Sequence, residues 1–439
     1  MCNIMNDKNI STLQGLLALS PVAVFLLSYV AVSVVVGDFY SMPIAVSLVL
    51  ASVWAIVIFR TYPLPERIEV FSRSAGHVNI LYMIWIFILA GAFASLAKEL
   101  GAVDATVNLA LRIFPGQYIA PMMFVAACFI SLSIGTSVGT VVALTPLAVE
   151  LAAAAGAPVP FFVAVILGGA FFGDNLSFIS DTTIAATRSQ EVSMSAKFRA
   201  NLRIVLPAAL VTLVLYIAMG QGVPDVHVGT DAEWWLMIPY LVVIVAAVIG
   251  INVTIVLTMG IVAAVIMGVI RGVGLLELAK YAGAGIDSMG ELIIITLLAA
   301  GMLGIIQAAG GIGFLLNAMT RRVAGTRGAQ AVIAVLVGLV NLCTANNTVA
   351  IITVGGIARN ISKKYGIDGS KCASILDTAS CIVQCLIPYG AQCLLATGLA
   401  GISPAAPWQY LYYPWALAVT LTISILIRRR NKAVPQDRG

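Results

Sequence analysis

Long apolar runs constrain this chain more than any other feature. Segments at 13–36, 42–59, 79–97, 118–150, 159–187, 203–220, 234–250, 253–270, 291–309, 329–354, 372–398 and 409–427 are each about long enough to cross a hydrocarbon core. A soluble domain needs charged surface, yet only 10% of the 439 residues are charged and 61% are hydrophobic. In lipid a spanning segment must satisfy its own backbone polar groups, so these runs are expected to be helices. The expected fold class is all-α, a polytopic membrane protein. The first run reads as a retained helix, because no cleavage site follows it.

Two segments differ from the rest. Ser131-Leu-Ser-Ile-Gly-Thr-Ser-Val-Gly-Thr140 and Asn341-Leu-Cys-Thr-Ala-Asn-Asn-Thr348 place small polar residues in the middle of apolar stretches. Each is expected to be a hairpin that enters and leaves on one side. With the N-terminus inside, segments 1–12, 60–78, 188–202, 310–328, 355–371 and 428–439, with Arg203, carry 20 of the 24 basic residues. Lys98, Arg112, Arg271 and Lys280 remain outside. This bias sets the expected orientation, with both termini cytoplasmic in the cell inner membrane.

The halves of the chain align. Gly135-Thr-Ser-Val-Gly-Thr-Val-Val-Ala-Leu-Thr145 matches Cys343-Thr-Ala-Asn-Asn-Thr-Val-Ala-Ile-Ile-Thr353 at an offset of 208, and Leu176–Ser180 falls on Leu386–Gly390 at 210. Matched loops have opposite charge: 151–158 has no Lys or Arg where 355–371 has four, and 188–203 has four where 399–408 has none. That pattern predicts two inverted repeats, residues 1–220 and 234–439 joined by an external linker at 221–233. Each would hold about five transmembrane helices plus a hairpin, with broken helices at the midplane.

Three acids lie within apolar segments: Asp174, Asp181 and Asp377. None has a Lys or Arg nearby in its own segment. A charged side chain at the bilayer centre costs about 2.5–3.5 kcal/mol on insertion scales, so such acids are expected to serve a cation or a proton. The stretch Gly173-Asp-Asn-Leu-Ser-Phe-Ile-Ser-Asp-Thr-Thr183 is rich in oxygen donors: Asp174, Asn175, Ser177, Ser180, Asp181, Thr182 and Thr183. Hard cations take such ligands. Asn, Ser and Asp also favour a helix break, with Ser180 or Asp181 capping the helix that follows. Asp377-Thr-Ala-Ser380 precedes Leu386-Ile-Pro-Tyr-Gly390, where Pro388 and Gly390 predict a second break.

Phe171-Phe-Gly-Asp-Asn-Leu-Ser-Phe-Ile-Ser-Asp-Thr-Thr183 resembles the NhaC-type sodium/proton antiporter family of the ion-transporter superfamily. It is similar to the pattern Gly-Asp-Lys-Leu-Ser-Pro-Leu-Ser-Asp-Thr-Thr, and Leu386-Ile-Pro-Tyr389 resembles a second-half element of that family. Asn175 stands where the pattern has Lys, and Phe178 where it has Pro. The first departure removes a positive charge beside Asp174. The resemblance implies secondary active transport that exchanges cytoplasmic Na+ for external H+.

The expected site places Asp174 and Asp181 on a shared Na+ or proton. Asn175, Ser177, Ser180, Thr182 and Thr183 supply neutral oxygens, and Asp377, Thr378 and Ser380 approach from the second half. The hairpin tips, Thr136 and Ser137 with Asn346, Asn347 and Thr348, close it. The alternative is a sodium- or proton-coupled carrier of a small organic acid or amino acid, which would lack an intramembrane Lys or Arg for its carboxylate. A membrane enzyme has no support, since neither His77 nor His227 has a metal-spaced partner. No cofactor or nucleic acid is expected. The partners are the bilayer and small cations, and a homodimer is one assembly the sequence allows. Arg428-Arg-Arg430 reads as a topology anchor, and Trp408, Tyr410, Tyr412, Tyr413 and Trp415 as an interfacial belt.

Overall fold

The computed structural model describes residues 11–36, 43–103, 105–106, 116–177, 180–220, 233–249, 251–320 and 325–427. The linker expected at 221–233, apart from its last residue, lies outside them, as do Phe178, Arg112, His227 and the Arg428–Arg430 run. The described residues form α1 (Thr12–Val36), α2 (Ile44–Ile58), α3 (Leu64–Ala75), α4 (Val78–Glu99), α5 (Ile119–Ile134), α6 (Ser137–Ala154), α7 (Val159–Leu176), α8 (Asp181–Gln190) and α9 (Met194–Gly220). The second half continues with α10 (Ile238–Val248), α11 (Val253–Ile270), α12 (Leu275–Ser288), α13 (Gly290–Ala308), α14 (Gly311–Thr320) and α15 (Gly325–Thr344). It ends with α16 (Asn347–Lys364), α17 (Gly369–Leu386), α18 (Ala391–Ala400) and α19 (Tyr412–Leu426). Among these, nine stretches are long and apolar enough to cross a membrane.

The repeat is visible in the backbone, and it keeps one register. α7 and α17 begin at 159 and 369, α8 and α18 at 181 and 391, and α6 and α16 at 137 and 347, each pair 210 apart. Left-handed residues recur at the same spacing: Gly135 with Ala345, Gly156 with Gly366, and Glu191 with Gly401. The tip register expected at 208 is therefore corrected to 210. Thr136 corresponds to Asn346, and Ser137 to Asn347. Shared threonines misplace the alignment because small polar residues recur along both tips, whereas the left-handed residue that reverses the chain fixes it.

Packing across the halves is reciprocal. α8 lies on α16 while α18 lies on α6, and α3 lies on α13 while α12 lies on α4. α7 and α17 are buried on nearly every face, as expected of a helix that is apolar all round at a bundle centre. Outer helices such as α9 and α11 instead expose Leu, Val and Ile along one side, which suits lipid contact.

Three helices lie where loops were expected. α3, α12 and α14 fall in 60–78, 271–290 and 310–328. Uniform apolarity is the wrong signal for α3 and α12, which are amphipathic. α3 turns Phe71 and Ser74 onto Gly301 and Gly304 of α13, and α12 brings Gly285 against Gly91 of α4. Glu69 and Arg73 pair at 2.5 Å on the exposed side of α3. The hairpins do have sharp tips, at Gly135–Thr136 and Ala345–Asn346, but their second arms run on to Ala154 and Lys364.

Glu150 pairs with exposed Lys98 at 3.0 Å. The aromatic belt divides: Trp408 and Trp415 are exposed, whereas Tyr413 is fully buried and packs on Phe124 and Phe172. The register of α19 turns Tyr413 inward and leaves Trp415 outside.

Candidate cation site

The first break forms as the sequence predicts. α7 stops at Leu176, Ser177 and Ser180 are extended, and the Ser180 side chain caps α8 by accepting the Thr183 N–H at 3.3 Å. α17 stops at Leu386, and Gly390 opens α18. A helix end leaves carbonyls without intrahelical partners, so their satisfaction shows what the break offers. The Asp174 carbonyl accepts the Ser180 hydroxyl at 2.9 Å and the Thr182 hydroxyl at 3.4 Å. The Asn175 carbonyl accepts the ammonium of Lys197 at 2.8 Å and the amide of Asn201 at 2.7 Å.

Each hairpin tip is held against the break of its own half. Ser131 donates to the Ala170 carbonyl at 2.6 Å, and Asn341 donates to the Ser380 carbonyl at 2.8 Å, the same contact 210 residues on. Close approach in the first half comes from small residues. Gly169 and Gly173 on α7 face Ala127 and Ser131 on α5, the small-xxx-small spacing that lets helix backbones meet. A Cβ at Gly173 would overlap Ser131. Gly173→Ala is therefore expected to destabilise the protein by about 1–3 kcal/mol and to slow transport, read from thermal melting in detergent and from flux in vesicles.

Asp174 is buried, and its Oδ1 accepts the Ser137 N–H at 3.0 Å. No salt bridge to Asp174 forms among the described residues. Ser137 Oγ in turn accepts the amide of Gln392 at 3.0 Å, which ties the first tip to α18 of the second half. Gln384, which matches Asp174 at the 210 offset, donates instead to the Ala345 carbonyl and to Gln392 Oε1, both at 3.0 Å. The scaffold is thus duplicated while the acid occurs once.

Asp377 sits differently from expectation. Its Oδ2 accepts Lys197 Nζ at 2.8 Å and Asn201 Nδ2 at 2.7 Å, with both members of the ion pair at 0–1% exposure. The expectation that no intramembrane Lys or Arg is present is corrected. The 188–202 segment reads as a basic loop, but α9 starts at Met194 and carries Lys197 inward. Its signal was in the sequence: Lys197, Asn201, Ile204, Val205, Ala208 and Thr212 are buried along one helical face.

The other candidate residues are distributed around this core. Asn175 donates to Phe171, and its Oδ1 accepts nothing from the described residues. Ser177 is buried. The Thr183 hydroxyl accepts Lys197 Nζ at 2.6 Å. Thr378 Oγ1, Asp377 Oδ1 and Asn201 Oδ1 are also buried acceptors that take no hydrogen bond from the described residues. Ser380 donates to its own helix, and Asn346 caps α16. Asn347 lies under Cys381. Thr136 caps α6 by position without a side-chain bond.

Asp181, unlike buried Asp174, is exposed. It lies on the wall of a cavity of ≈ 630 Å³ between α8 and α16, with Arg188, Thr348, Ile352 and Arg359 among its lining. Arg359 pairs there with Glu191. Among the described residues no three His, Cys, Asp or Glu side chains are placed to hold a metal ion. A cation in this core would need amide, hydroxyl and carbonyl oxygens beside a single carboxylate.

A model of the Na+/H+ antiporter family matches residues 7–221 and 226–428. The Na+/H+ antiporter NhaC of Bacillus subtilis (strain 168) is 24% identical over 387 residues, covering 80% of this chain and 84% of that protein. The malate-2H+/Na+-lactate antiporter of the same organism is 21% identical and covers 82% of this chain and 83% of its own length. The arginine/ornithine antiporter ArcD of Halobacterium salinarum is 22% identical, with 79% and 78% covered.

Proposed function

We propose, because the chain belongs to the Na+/H+ antiporter family, that Asp174 is the carboxylate on which Na+ and H+ replace each other during secondary transport. The protein is a multi-pass membrane transporter rather than an enzyme. The observation that carries the reading is a buried acid with no cationic partner among the described residues, set where a hairpin tip meets a broken helix. An unpaired carboxylate is costly in such a place unless a proton or a metal ion neutralises it. Competition for one carboxylate couples the two ions, since the site crosses the membrane occupied by one or the other.

Asp181 serves in this reading as the vestibule ligand rather than a partner in a shared site. It lines the cavity with Thr348, the second residue of α16, just past the second tip. Arg188 on α8 and Arg359 on α16 line its two walls, toward loops that the basic-residue bias assigns to the cytoplasm. The cavity is thus read as the inward path in a cell inner membrane with cytoplasmic termini. Ser180, Thr182 and Thr183 lie between vestibule and core. Na+ and H+ are cargo, and the exchange asks for no resident cofactor.

The test is a purified protein in vesicles loaded with a pH-sensitive dye. A sudden Na+ gradient should move protons in the opposite direction, and its absence would remove the reading. Parallel additions of Li+, K+, small carboxylates and amino acids test the carrier alternative, which the cavity's size and its two arginines keep specific. Asp181→Asn is expected to raise the KM for Na+ about fivefold with kcat retained, the effect of removing roughly 1 kcal/mol of attraction in a hydrated vestibule.

A further inference from the structure

We propose that Lys197 is a tethered cation filling a second cation site, so that one Na+ rather than two occupies the core in each cycle. The inference rests on the exchange reading given for Asp174. Three oxygens surround a single point, the Lys197 nitrogen: the Asn175 carbonyl at 2.8 Å, the Thr183 hydroxyl at 2.6 Å and Asp377 Oδ2 at 2.8 Å. An ammonium has three donors and no acceptor, so this set saturates it. A carboxylate, a carbonyl freed by a helix break and a hydroxyl are also the ligands that hard metal cations select.

Several facts show that the position is built for a cation. Asn201, one turn beyond Lys197, donates to the same two acceptors, the Asn175 carbonyl and Asp377 Oδ2. Both oxygens are therefore fixed in place whether or not the ammonium is present. Asp377 Oδ1 and Asn201 Oδ1, on the two side chains that meet there, are buried with no hydrogen bond from the described residues, and so is Thr378 Oγ1 on the next residue of α17. A metal ion could use them, whereas an ammonium with three bonds has no donor left to do so. Lys197 and Asp377 also belong to opposite halves, on α9 and α17, so the tethered charge fastens the repeats at the depth of the break.

Removing the ammonium should uncover the site. Lys197→Gln leaves Asp377 buried and negative, and Na+ becomes the available counter-ion. In vesicles the Na+ dependence of wild-type flux should show a Hill coefficient of about one, rising toward two in K197Q. In detergent, saturating Na+ should raise the melting temperature of K197Q by at least about 3 °C more than that of the wild type. Adding D377N to K197Q should abolish both gains. A folded K197Q with the wild-type Na+ response in both measurements would overturn the proposal. If K197Q does not fold even when purified in high Na+, equilibrium binding of radioactive Na+ to the wild type decides the matter. One ion per chain supports the proposal and two overturn it. Na+/H+ exchange by a D174N variant would instead strike the reading of Asp174 and leave this count standing.

Discussion

Asp174→Asn is expected to reduce Na+-driven proton movement by at least about 100-fold, since a unit charge near a cation at 4 Å contributes about 4 kcal/mol in a partly buried setting. The substitution is a mild one for the fold. An asparagine oxygen can still accept the Ser137 N–H that Asp174 Oδ1 accepts at 3.0 Å, so the hairpin tip keeps its seat. What is lost is the negative charge alone. The dye assay in vesicles reads the flux, and gel filtration in detergent checks that the variant is folded. A folded variant with wild-type exchange would mean that the ions meet elsewhere in the protein.

Asp377→Ala is expected to act chiefly on stability. It leaves the Lys197 ammonium buried at 1% exposure without its counter-charge, and breaking a buried pair from one side costs about 3–5 kcal/mol. Replacing Lys197 as well should return much of that loss, because no unpaired charge then remains. The two single variants and the double variant form a cycle whose non-additivity measures the pair. Thermal melting in one detergent supplies the comparison. Single losses that simply add would show that Lys197 and Asp377 do not depend on each other.

These two expectations differ in kind because the acids differ in surroundings. Asp174 and Asp377 look alike in the sequence, each an acid in an apolar segment with small polar neighbours. Folding gives one an ammonium and leaves the other with a backbone N–H. Asp377 is neutralised inside the protein, whereas Asp174 keeps a carboxylate with no salt bridge among the described residues, as the proposed exchange requires. Sequence spacing alone cannot separate these roles, since the distinguishing residue lies 180 positions from Asp377 and on another helix.

Much of the framework is legible without coordinates. Lipid leaves backbone polar groups no partner but the segment itself, so apolar length alone predicts the spanning helices. Ser180 as a cap, the break after Leu386 and the sharp hairpin tips follow from local hydrogen-bonding and dihedral preferences of Ser, Pro, Gly and Asn. The repeat is legible too, though its register at the tips needed the left-handed residues at Gly135 and Ala345.

What only the tertiary structure decided concerns contacts between distant segments. The amphipathic periodicity of α3 and α12 marks them as helices, but the surfaces they lie on, at Gly301 and Gly91, come from distant segments. Lys197 enters the core because α9 begins nine residues earlier than its apolar stretch, and the energy that holds a charge there comes from Asp377, Asn175 and Thr183. Asp181 faces the cavity because α8 leans on α16 of the other half. Local chemistry fixes where a helix starts and stops. The partner of a buried charge is fixed only when the chain has folded around it.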